Sequence, residues 1–200
     1  MWQPENVAKR RFSNVIGIDD APFVPRRGTP RAMPQKVKVV GAVLARLNIH
    51  GVILFEVTED GDDAAAVLAQ GIVGSKFLGH IQLIMLQGIA LGGLNVVDVP
   101  WLSKETGRPV LVVARRAPDM DAMERALSSV KDGDKKLAII HSLGPMEPIG
   151  GVYCQRYGLS REEAEETLRL FCVNGLIPEP IRVAHLIGGA LVNGVSSGRA

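Results

Sequence analysis

The chain has 200 residues, of which 46% are hydrophobic and 22% charged, with a formal net charge of +2. This balance predicts one globular domain over residues 1–200 whose core needs no disulfide or metal, and it excludes a disordered chain. Residues 1–13 lack an apolar run of signal-peptide length and are predicted to be a flexible N-terminal segment. The longest uncharged stretch, residues 81–97, is shorter than the roughly 20 apolar residues of a membrane span. We therefore expect a cytoplasmic protein with no membrane partner.

Basic residues are concentrated in the first quarter of the chain. Residues 1–50 contain nine Lys or Arg against three Asp or Glu, whereas the remaining 150 contain 14 basic and 18 acidic residues. This asymmetry is compatible with contact to a phosphate backbone, and also with solvated charge on loops and strand edges. Cys154 and Cys172 both lie in apolar surroundings, which favours buried free thiols in a reducing compartment over a disulfide or a reactive thiol.

The first predicted strand, residues 15–18, delivers Asp19 and Asp20 at its C-terminal end. Residues 21–36 contain four prolines and three arginines, which is typical of an exposed loop or hairpin crossing. Two further strands over residues 37–47 and 51–58, with a turn at 48–50, complete an antiparallel meander.

Helices and strands alternate through the rest of the chain. Asp62 is a predicted N-cap for a helix whose first turn contains Asp63, and Ser160 with Glu163 forms a predicted capping box. The other predicted elements are a strand at 80–86, a helix at 102–106 ended by Gly107, a strand at 109–114, a helix at 119–130, a strand at 137–142 and a last helix at 183–192. The order predicts an α/β fold with one mixed sheet, a three-strand antiparallel meander followed by parallel strands, and helices on both faces.

Three predicted strand ends are polar: Asp19-Asp20, residues 59–63, and Gln87-Gly88. Ligands of open α/β sheets bind at the C-terminal ends of strands. Clustered carboxylates repel by about 4 kcal/mol at about 4 Å and a dielectric of about 20, and a divalent cation such as Mg²⁺ or Mn²⁺ removes that cost. The structural alternative is that Asp20 and Asp60 begin turns while Asp62 caps a helix.

Sequence motifs for other chemistries are absent. The chain has no P-loop, no GxGxxG after a strand, no CxxC pair and no HExxH helix. Glu179, Arg182 and His185 lie within seven residues of one another, a grouping suited to phosphate binding or proton transfer and equally to a network at a helix start.

Seven short blocks resemble the archaeal endonuclease dU family, in order and over nearly the whole chain. The blocks are VIGIDDAPF (15–23), DGDDA (60–64), GI (88–89), LNVVD (94–98), ETGRPV (105–110), RRAPD (115–119) and IPEPIRVAHLI (177–187). The resemblance implies an RNase H-like fold related to endonuclease V. It also implies hydrolysis of a DNA phosphodiester at or near deoxyuridine with Mg²⁺ or Mn²⁺, with RNA as a further candidate partner.

The resemblance also assigns site residues. Asp19 matches the first-strand metal carboxylate, and Asp60 and Asp63 match the second acidic block, so these three are the candidate catalytic residues. Gln87 completes the candidate metal ligands. The candidate nucleic-acid contacts are Asn95, Arg115, Arg116, Arg182 and His185; Asp98 and Glu179 match positions whose roles stay open.

Two residues depart from the family pattern. Gln87 stands where the family has an Asp before glycine; its amide oxygen can ligate Mg²⁺ but adds no charge, so metal binding would be weaker or would use another carboxylate such as Asp98. Leu94 replaces a usual Phe and removes a surface on which a base could stack. A catalytically silent nucleic-acid-binding or scaffold protein of the same fold is therefore the alternative function. A hydrolase of small phosphate esters is a third.

Overall fold

The computed structural model describes residues 10–25 and 35–196. Its central element is a seven-stranded mixed sheet. The strands are β1 (Asn14–Asp20), β2 (Lys36–Ala45), β3 (Asn48–Thr58), β4 (Leu83–Gln87), β5 (Ala90–Leu91), β6 (Asn95–Val96), β7 (Val110–Ala114), β8 (Glu147–Ile149) and β9 (Val152–Tyr157). The helices are α1 (Ala64–Val73), α2 (Val99–Thr106), α3 (Met120–Leu127), α4 (Gly133–Ser142), α5 (Arg161–Phe171) and α6 (Glu179–Asn193).

The strand order in the sheet is β3-β2-β1-β4-β7-β9-β8, with β5 and β6 forming a separate small hairpin. Strands β1, β2 and β3 pair antiparallel, whereas β4 pairs parallel with β1, and β7 pairs parallel with β4. This confirms the predicted meander followed by parallel strands. Strands β9 and β8 extend the sheet antiparallel beyond β7 and were not predicted.

Alternation along β1 places its side chains in two separate cores. Ile16 and Ile18 belong to the core that includes α1 and α2, on the face where α3 and α4 also pack. Val15 belongs to the opposite core, which contains residues of α5 and α6. Because β1 is buried on both faces, its apolar run is continuous rather than alternating, as is typical of a central strand. Helices therefore cover both faces, as predicted.

Helix α6 lies directly on β1 because residue 17 is a glycine. A Cβ at Gly17 would lie 2.2 Å from the backbone carbon of Pro180 and 2.4 Å from the nitrogen of Ile181. From this contact His185 lies four to five helical residues onward, about 6–7.5 Å at 1.5 Å per residue. Asp19 lies two strand residues onward, about 6.6 Å at 3.3 Å per residue. The close approach at Gly17 thus brings His185 over Asp19.

The prediction of a strand at 137–142 is wrong, because these residues belong to helix α4. The apolar run 137–140 suggested a strand, but the two buried side chains of α4 are Lys136 and Ile140, which are four residues apart and share one helical face. The turn predicted at 48–50 lies instead at residues 46–47, and β3 begins at Asn48.

The predicted N-cap at Asp62 is also corrected. Asp63 occupies the N-cap position of α1, but its side chain accepts no hydrogen bond from the N–H groups of the helix. The Oδ1 atom of Asn95 accepts from the backbone N–H of Ala64, 3.1 Å away, and so supplies an acceptor at this helix start. The capping box of Ser160 and Glu163 is present as predicted.

Residues 1–9 and 26–34 lie outside the described part of the chain, and with them most of the predicted N-terminal segment and part of the predicted 21–36 loop. Of the predicted N-terminal segment, the structure describes residues 10–13. Phe12 is buried in the α5–α6 core, and the Arg10 guanidinium pairs with Glu163 at 2.9 Å. None of the helices in the described ranges is both long and apolar enough to cross a membrane.

Cys154 and Cys172 are both free thiols, as the sequence predicts. Cys154 is fully buried on β9, and Cys172 lies in a partly buried position after α5. Burial raises the pKa of Cys154 to about 12 and that of Cys172 to about 11, so neither carries the thiolate that reactive cysteines need at neutral pH.

Candidate active site

Asp19 and Gln87 lie side by side at the C-terminal edge of the sheet. The parallel pairing of β1 with β4 matches Ile18 with Leu86, and the next residues along the two strands are Asp19 and Gln87. Adjacent strands are about 4.8 Å apart, so both side chains reach the same space. They line a pocket of about 370 Å³, together with Asp20, Ala21, Pro22, Phe23 and His185. We call this space the Asp19 pocket.

The carboxylate of Asp19 is buried and held by two hydrogen bonds. Its Oδ2 atom lies 2.8 Å from Nδ1 of His185, and its Oδ1 atom accepts from the backbone N–H of Asp20 at 3.0 Å. Because a carboxylate only accepts, the histidine tautomer with a proton on Nδ1 fits this contact. Burial and repulsion by Asp20 raise the pKa of Asp19 to about 7, against the lowering effect of His185. The negative charge is therefore costly here without a cation.

Gln87 contributes an oxygen that lacks a hydrogen-bond donor. Its Oε1 atom is buried, and no donor among the described residues reaches it. Leaving such an acceptor unsatisfied costs about 1–3 kcal/mol. A buried carboxylate that is costly to ionise and an orphan amide oxygen are together the oxygen donors that a hard divalent cation would satisfy. The residues that could hold such an ion are Asp19 and Gln87.

Asp20 points to the other side of the strand end. Its Oδ2 atom accepts from the backbone N–H of Gly92 at 2.7 Å, which ties β1 to the β5–β6 hairpin. Burial raises the pKa of Asp20. Asp20 thus links the Asp19 pocket to the neighbouring loop.

Asp60 does not line the Asp19 pocket, and its side chain contacts the loop between β5 and β6. It adopts a positive φ of 52°, and its Oδ1 atom accepts from the backbone N–H of Leu94 at 2.9 Å. Its backbone oxygen accepts from Nζ of the buried Lys136 at 2.7 Å. Asp60 therefore shapes the β3–α1 connection and contacts both the β5–β6 hairpin and α4.

Asp63 is the centre of a hydrogen-bond network at the end of β3. Its Oδ1 atom accepts from the N–H of Thr58 at 2.9 Å and from Nδ2 of Asn95 at 2.6 Å. Its Oδ2 atom accepts from Oγ1 of Thr58 at 2.7 Å and from Nζ of Lys36 at 3.1 Å. Burial disfavours ionisation, but these hydrogen bonds outweigh it and lower the pKa of Asp63 to about 2.

Asp60 and Asp63 are not among the residues that line the Asp19 pocket. Both carboxylates accept donors of the loop that they stabilise. Across residues 10–25 and 35–196, no group of three or more His, Cys, Asp or Glu side chains is arranged to hold a metal ion. Asp19 and Gln87 are the predicted metal ligands that the structure brings together.

The predicted nucleic-acid contacts fall in different environments. Asn95 is fully buried, and its amide bonds to Thr58, Asp63 and Ala64, so it stabilises this loop, and its predicted contact with nucleic acid stays a prediction. His185 contacts Asp19, as described above. Two arginines, Arg115 and Arg116, are exposed directly after β7, at the same edge of the sheet.

Arg182 is only partly exposed and pairs with Glu179. Its Nε and Nη2 atoms donate to the two oxygens of Glu179 at 2.8 and 2.7 Å, within the first turn of α6. This pair forms the helix-start network that is one of the two interpretations of Glu179, Arg182 and His185. Of these three residues, His185 lines the Asp19 pocket. Asp98, the suggested substitute ligand, is the N-cap of α2 and accepts from the N–H of Trp101.

Two contacts of the site are not predicted from the sequence. The pairing of His185 with Asp19 joins residues 166 positions apart, and the only sequence signal for it was the shared resemblance of both segments to one family. No sequence pattern indicates the hydrogen bond from Lys136 to the backbone oxygen of Asp60, because residues 137–142 of the same helix are predicted as a strand.

The fold is similar to that of endonuclease V. The structure of endonuclease V from Bacillus subtilis superposes with a TM-score of 0.59, covering 93% of this chain and 84% of that one at 9% sequence identity. The likeness establishes an RNase H-like α/β fold, in agreement with the expectation from the resemblance.

The chain belongs to the endonuclease dU family, whose model matches residues 11–192. A UPF0215 protein of Deinococcus radiodurans is 45% identical over 190 residues, 94% of each chain, so relatives are not confined to archaea. The crystal structure of a protein of unknown function from Archaeoglobus fulgidus has a TM-score of 0.82 at 35% identity, covering 90% of this chain and 99% of that one. Family membership supports a nuclease-like role.

Proposed function

We propose that the protein is a divalent-metal-dependent endonuclease that hydrolyses DNA phosphodiester bonds at or near deoxyuridine. The observation that supports this most strongly is the Asp19 pocket, where a buried carboxylate, a histidine and an orphan amide oxygen meet at a strand-end edge. The family description, endonuclease dU, supplies the reaction class and the base.

A divalent cation fits the donors of this pocket. Asp19 and Gln87 would hold it, and it would supply Lewis-acid stabilisation of charge that develops on the phosphate and activation of a water molecule. Asp19 contributes the negative charge, and His185 orients that carboxylate through its Nδ1 contact. The N–H of Asp20 fixes the second oxygen, so the carboxylate is preorganised before substrate binds.

The DNA backbone would be held by cationic side chains at the same edge. Arg115 and Arg116 are exposed where β7 ends, one strand beyond Gln87 in the sheet. Guanidinium groups bind phosphate through paired hydrogen bonds, so these two arginines are suited to positioning the strand across the pocket. Binding through them weakens as salt concentration rises.

The alternative is a nucleic-acid-binding protein of this fold that does not cleave. Gln87 favours it, because the strand end beside Asp19 then offers a cation a neutral amide oxygen, and the other carboxylate of the pocket, Asp20, already accepts from the N–H of Gly92. Gln87→Asp separates the two functions. Cleavage that appears only in this variant supports the silent binder, whereas cleavage by the wild type removes it.

The proposed function is tested with single- and double-stranded oligonucleotides that contain one deoxyuridine, in Mg²⁺ and in Mn²⁺. We expect cleavage by the wild type, a loss of about 100-fold or more in Asp19→Asn, and no more than a small change in Asp62→Asn. Asp62 is a matched control because it is an exposed acid outside the Asp19 pocket. Equal rates for wild type and Asp19→Asn in both metals contradict the proposal.

A further inference from the structure

A pocket of about 230 Å³ lies at the end of the sheet opposite the Asp19 pocket. Asn14, the first residue of β1, lines it, and Asp19 lies five strand residues onward, about 17 Å at 3.3 Å per residue. The titratable side chains that line the pocket come from β3 and from the segment between α1 and β4, and they are His50, Lys76 and His80. The lining residues from β1 and β2 are uncharged. We call this space the basic pocket, because each titratable side chain in its wall is a base.

His50 occupies an irregular position of β3. The pairing of β3 with β2 matches Gly51 with Val43. The next residue of β2, Leu44, is matched with Ile49, so His50 is an extra residue that has no partner in β2. Such a β-bulge interrupts the regular alternation of a strand and re-aims a side chain, and bulges are frequent beside functional sites. Here the bulged residue is one of the bases that line the pocket.

Phe77 packs against β3 because residue 51 is a glycine. A Cβ at Gly51 would overlap with the ring of Phe77, so the ring lies directly on the strand backbone. The Nζ atom of Lys76 lies 5.2 Å from the centroid of that ring. The backbone N–H of His80 donates to the carbonyl oxygen of Phe77 at 2.8 Å, which closes a turn. One aromatic ring thus anchors the segment that carries Lys76 and His80 to the strand that carries His50.

The positive charge around the basic pocket is not neutralised by neighbouring acids. Within the described part of the chain, none of the three bases forms an ion pair with an Asp or Glu side chain. Arg46 follows the lining residue Ala45, is exposed and adds a further positive charge that no described carboxylate pairs with. Part of the basic excess of residues 1–50 therefore lies at this end of the sheet, remote from Asp19.

We propose that the basic pocket binds a phosphate dianion, either free phosphate or the terminal phosphate of a phosphomonoester. A terminal phosphate has three free oxygens that accept hydrogen bonds, and three side chains of the pocket carry N–H donors. The ammonium group of Lys76 supplies positive charge, and each imidazole offers an N–H donor in either charge state. A phosphodiester within a strand has two free oxygens and a bulkier backbone, so it fits this small pocket less well. The site is separate from the proposed nuclease site and does not depend on cleavage.

The four histidines of the chain make the test possible. The wild type is titrated with sodium phosphate at pH 7, and the NMR signals of the imidazole C–H protons are followed. Sodium chloride of the same ionic strength is the matched control. We expect saturable shifts for His50 and His80 in phosphate, and constant signals for His141 and His185, which lie on α4 and in the Asp19 pocket. Shifts of His50 and His80 that chloride reproduces, or saturable shifts confined to His185, overturn the proposal.

A lysine variant tests whether the pocket itself binds the anion. Lys76→Gln removes one charged donor, so we expect the Kd of phosphate to rise about tenfold. Lys104→Gln is the matched control, because Lys104 is exposed on α2 and does not line the pocket. We expect it to change the Kd by less than about twofold. Equal weakening by both variants means that phosphate responds to net charge alone and overturns the proposal. The titration of the wild type stands without the variants, so misfolding of Lys76→Gln does not prevent the test.

Two short oligonucleotides distinguish the sources of the phosphate. One single strand carries a 5′-phosphate and the other a 5′-hydroxyl, and both are added in EDTA so that no metal-dependent cleavage occurs. Shifts of His50 and His80 at a lower concentration of the 5′-phosphate strand than of free phosphate identify a strand end as the ligand, whereas shifts with free phosphate alone identify the free anion. Equal shifts with both strands overturn the selection of a terminal dianion. Failure of the wild type to cleave deoxyuridine oligonucleotides in Mg²⁺ and Mn²⁺ removes the proposed function and leaves these results unchanged.

Discussion

Replacing Asp63 with Ala tests whether this carboxylate stabilises the fold. The pKa of Asp63 is lowered from its ordinary value of 3.8 to about 2 by the hydrogen bonds described above. Lowering a pKa by about 2 on folding corresponds to about 2–3 kcal/mol of stabilisation. The side chain is 29% exposed, so solvent screening reduces this and we expect Asp63→Ala to lose about 2 kcal/mol at pH 7.

The pH dependence of that loss identifies its cause. Because the pKa is lower in the folded than in the unfolded state, the charge of Asp63 stabilises the fold fully above about pH 4 and loses its effect as the pH falls toward 2. Urea unfolding followed by circular dichroism at several pH values from 7 to 2.5 measures the difference between wild type and Asp63→Ala. We expect the difference to shrink steadily below pH 4.

Asp62→Ala is the control for this series, since Asp62 is the exposed neighbour of Asp63. We expect a change of less than about 0.5 kcal/mol at every pH. A difference for Asp63→Ala that stays constant down to pH 2.5, or one no larger than that of Asp62→Ala, refutes the assignment of Asp63 to the hydrogen-bond network.

Three further variants test other parts of the structure. Gly17→Ala forces a Cβ to within 2.2 Å of the backbone of α6, so we expect a loss of about 3 kcal/mol or more in urea unfolding, against little change for Gly79→Ala, where a Cβ meets no atom within 4 Å. Gln87→Asp adds a charged ligand, so Mn²⁺ measured by calorimetry should bind about tenfold more tightly; unchanged affinity excludes Gln87 from the metal site. Arg10→Ala removes the side-chain hydrogen bonds that contribute most to lowering the pKa of Glu163 to about 2, while the backbone N–H groups of residue 10 and Ser160 still donate to it. NMR titration should therefore show that pKa rising part of the way toward 4.5, and an unaltered value would show that the Arg10 side chain is not the main cause.

The parts of the fold that follow from local pattern were predictable. The apolar run of β1 ending in two acids, the capping box of α5 and the glycine that ends α2 each depend on a few adjacent residues. Helix α4 was mistaken for a strand because its core-facing position 136 is a lysine, and only the tertiary contact with Asp60 shows that this lysine is buried.

The candidate site was predictable in composition but not in arrangement. The acidic block after β3 looked like a source of metal ligands, since spacing alone does not show that Thr58, Leu94 and Asn95 provide donors for its carboxylates. Asp19 and Gln87 come together because β1 and β4 are adjacent and in register, and His185 joins them because Gly17 admits α6. Such partners depend on strand order and helix packing, which a single sequence does not specify.

The most direct test of the account is anomalous diffraction from crystals soaked in Mn²⁺. We expect a peak in the Asp19 pocket at about 2.1 Å from a carboxylate oxygen of Asp19 and from Oε1 of Gln87, and its loss in Asp19→Asn. A Mn²⁺ peak bound by Asp60 and Asp63 instead, with none beside Asp19, would contradict the account.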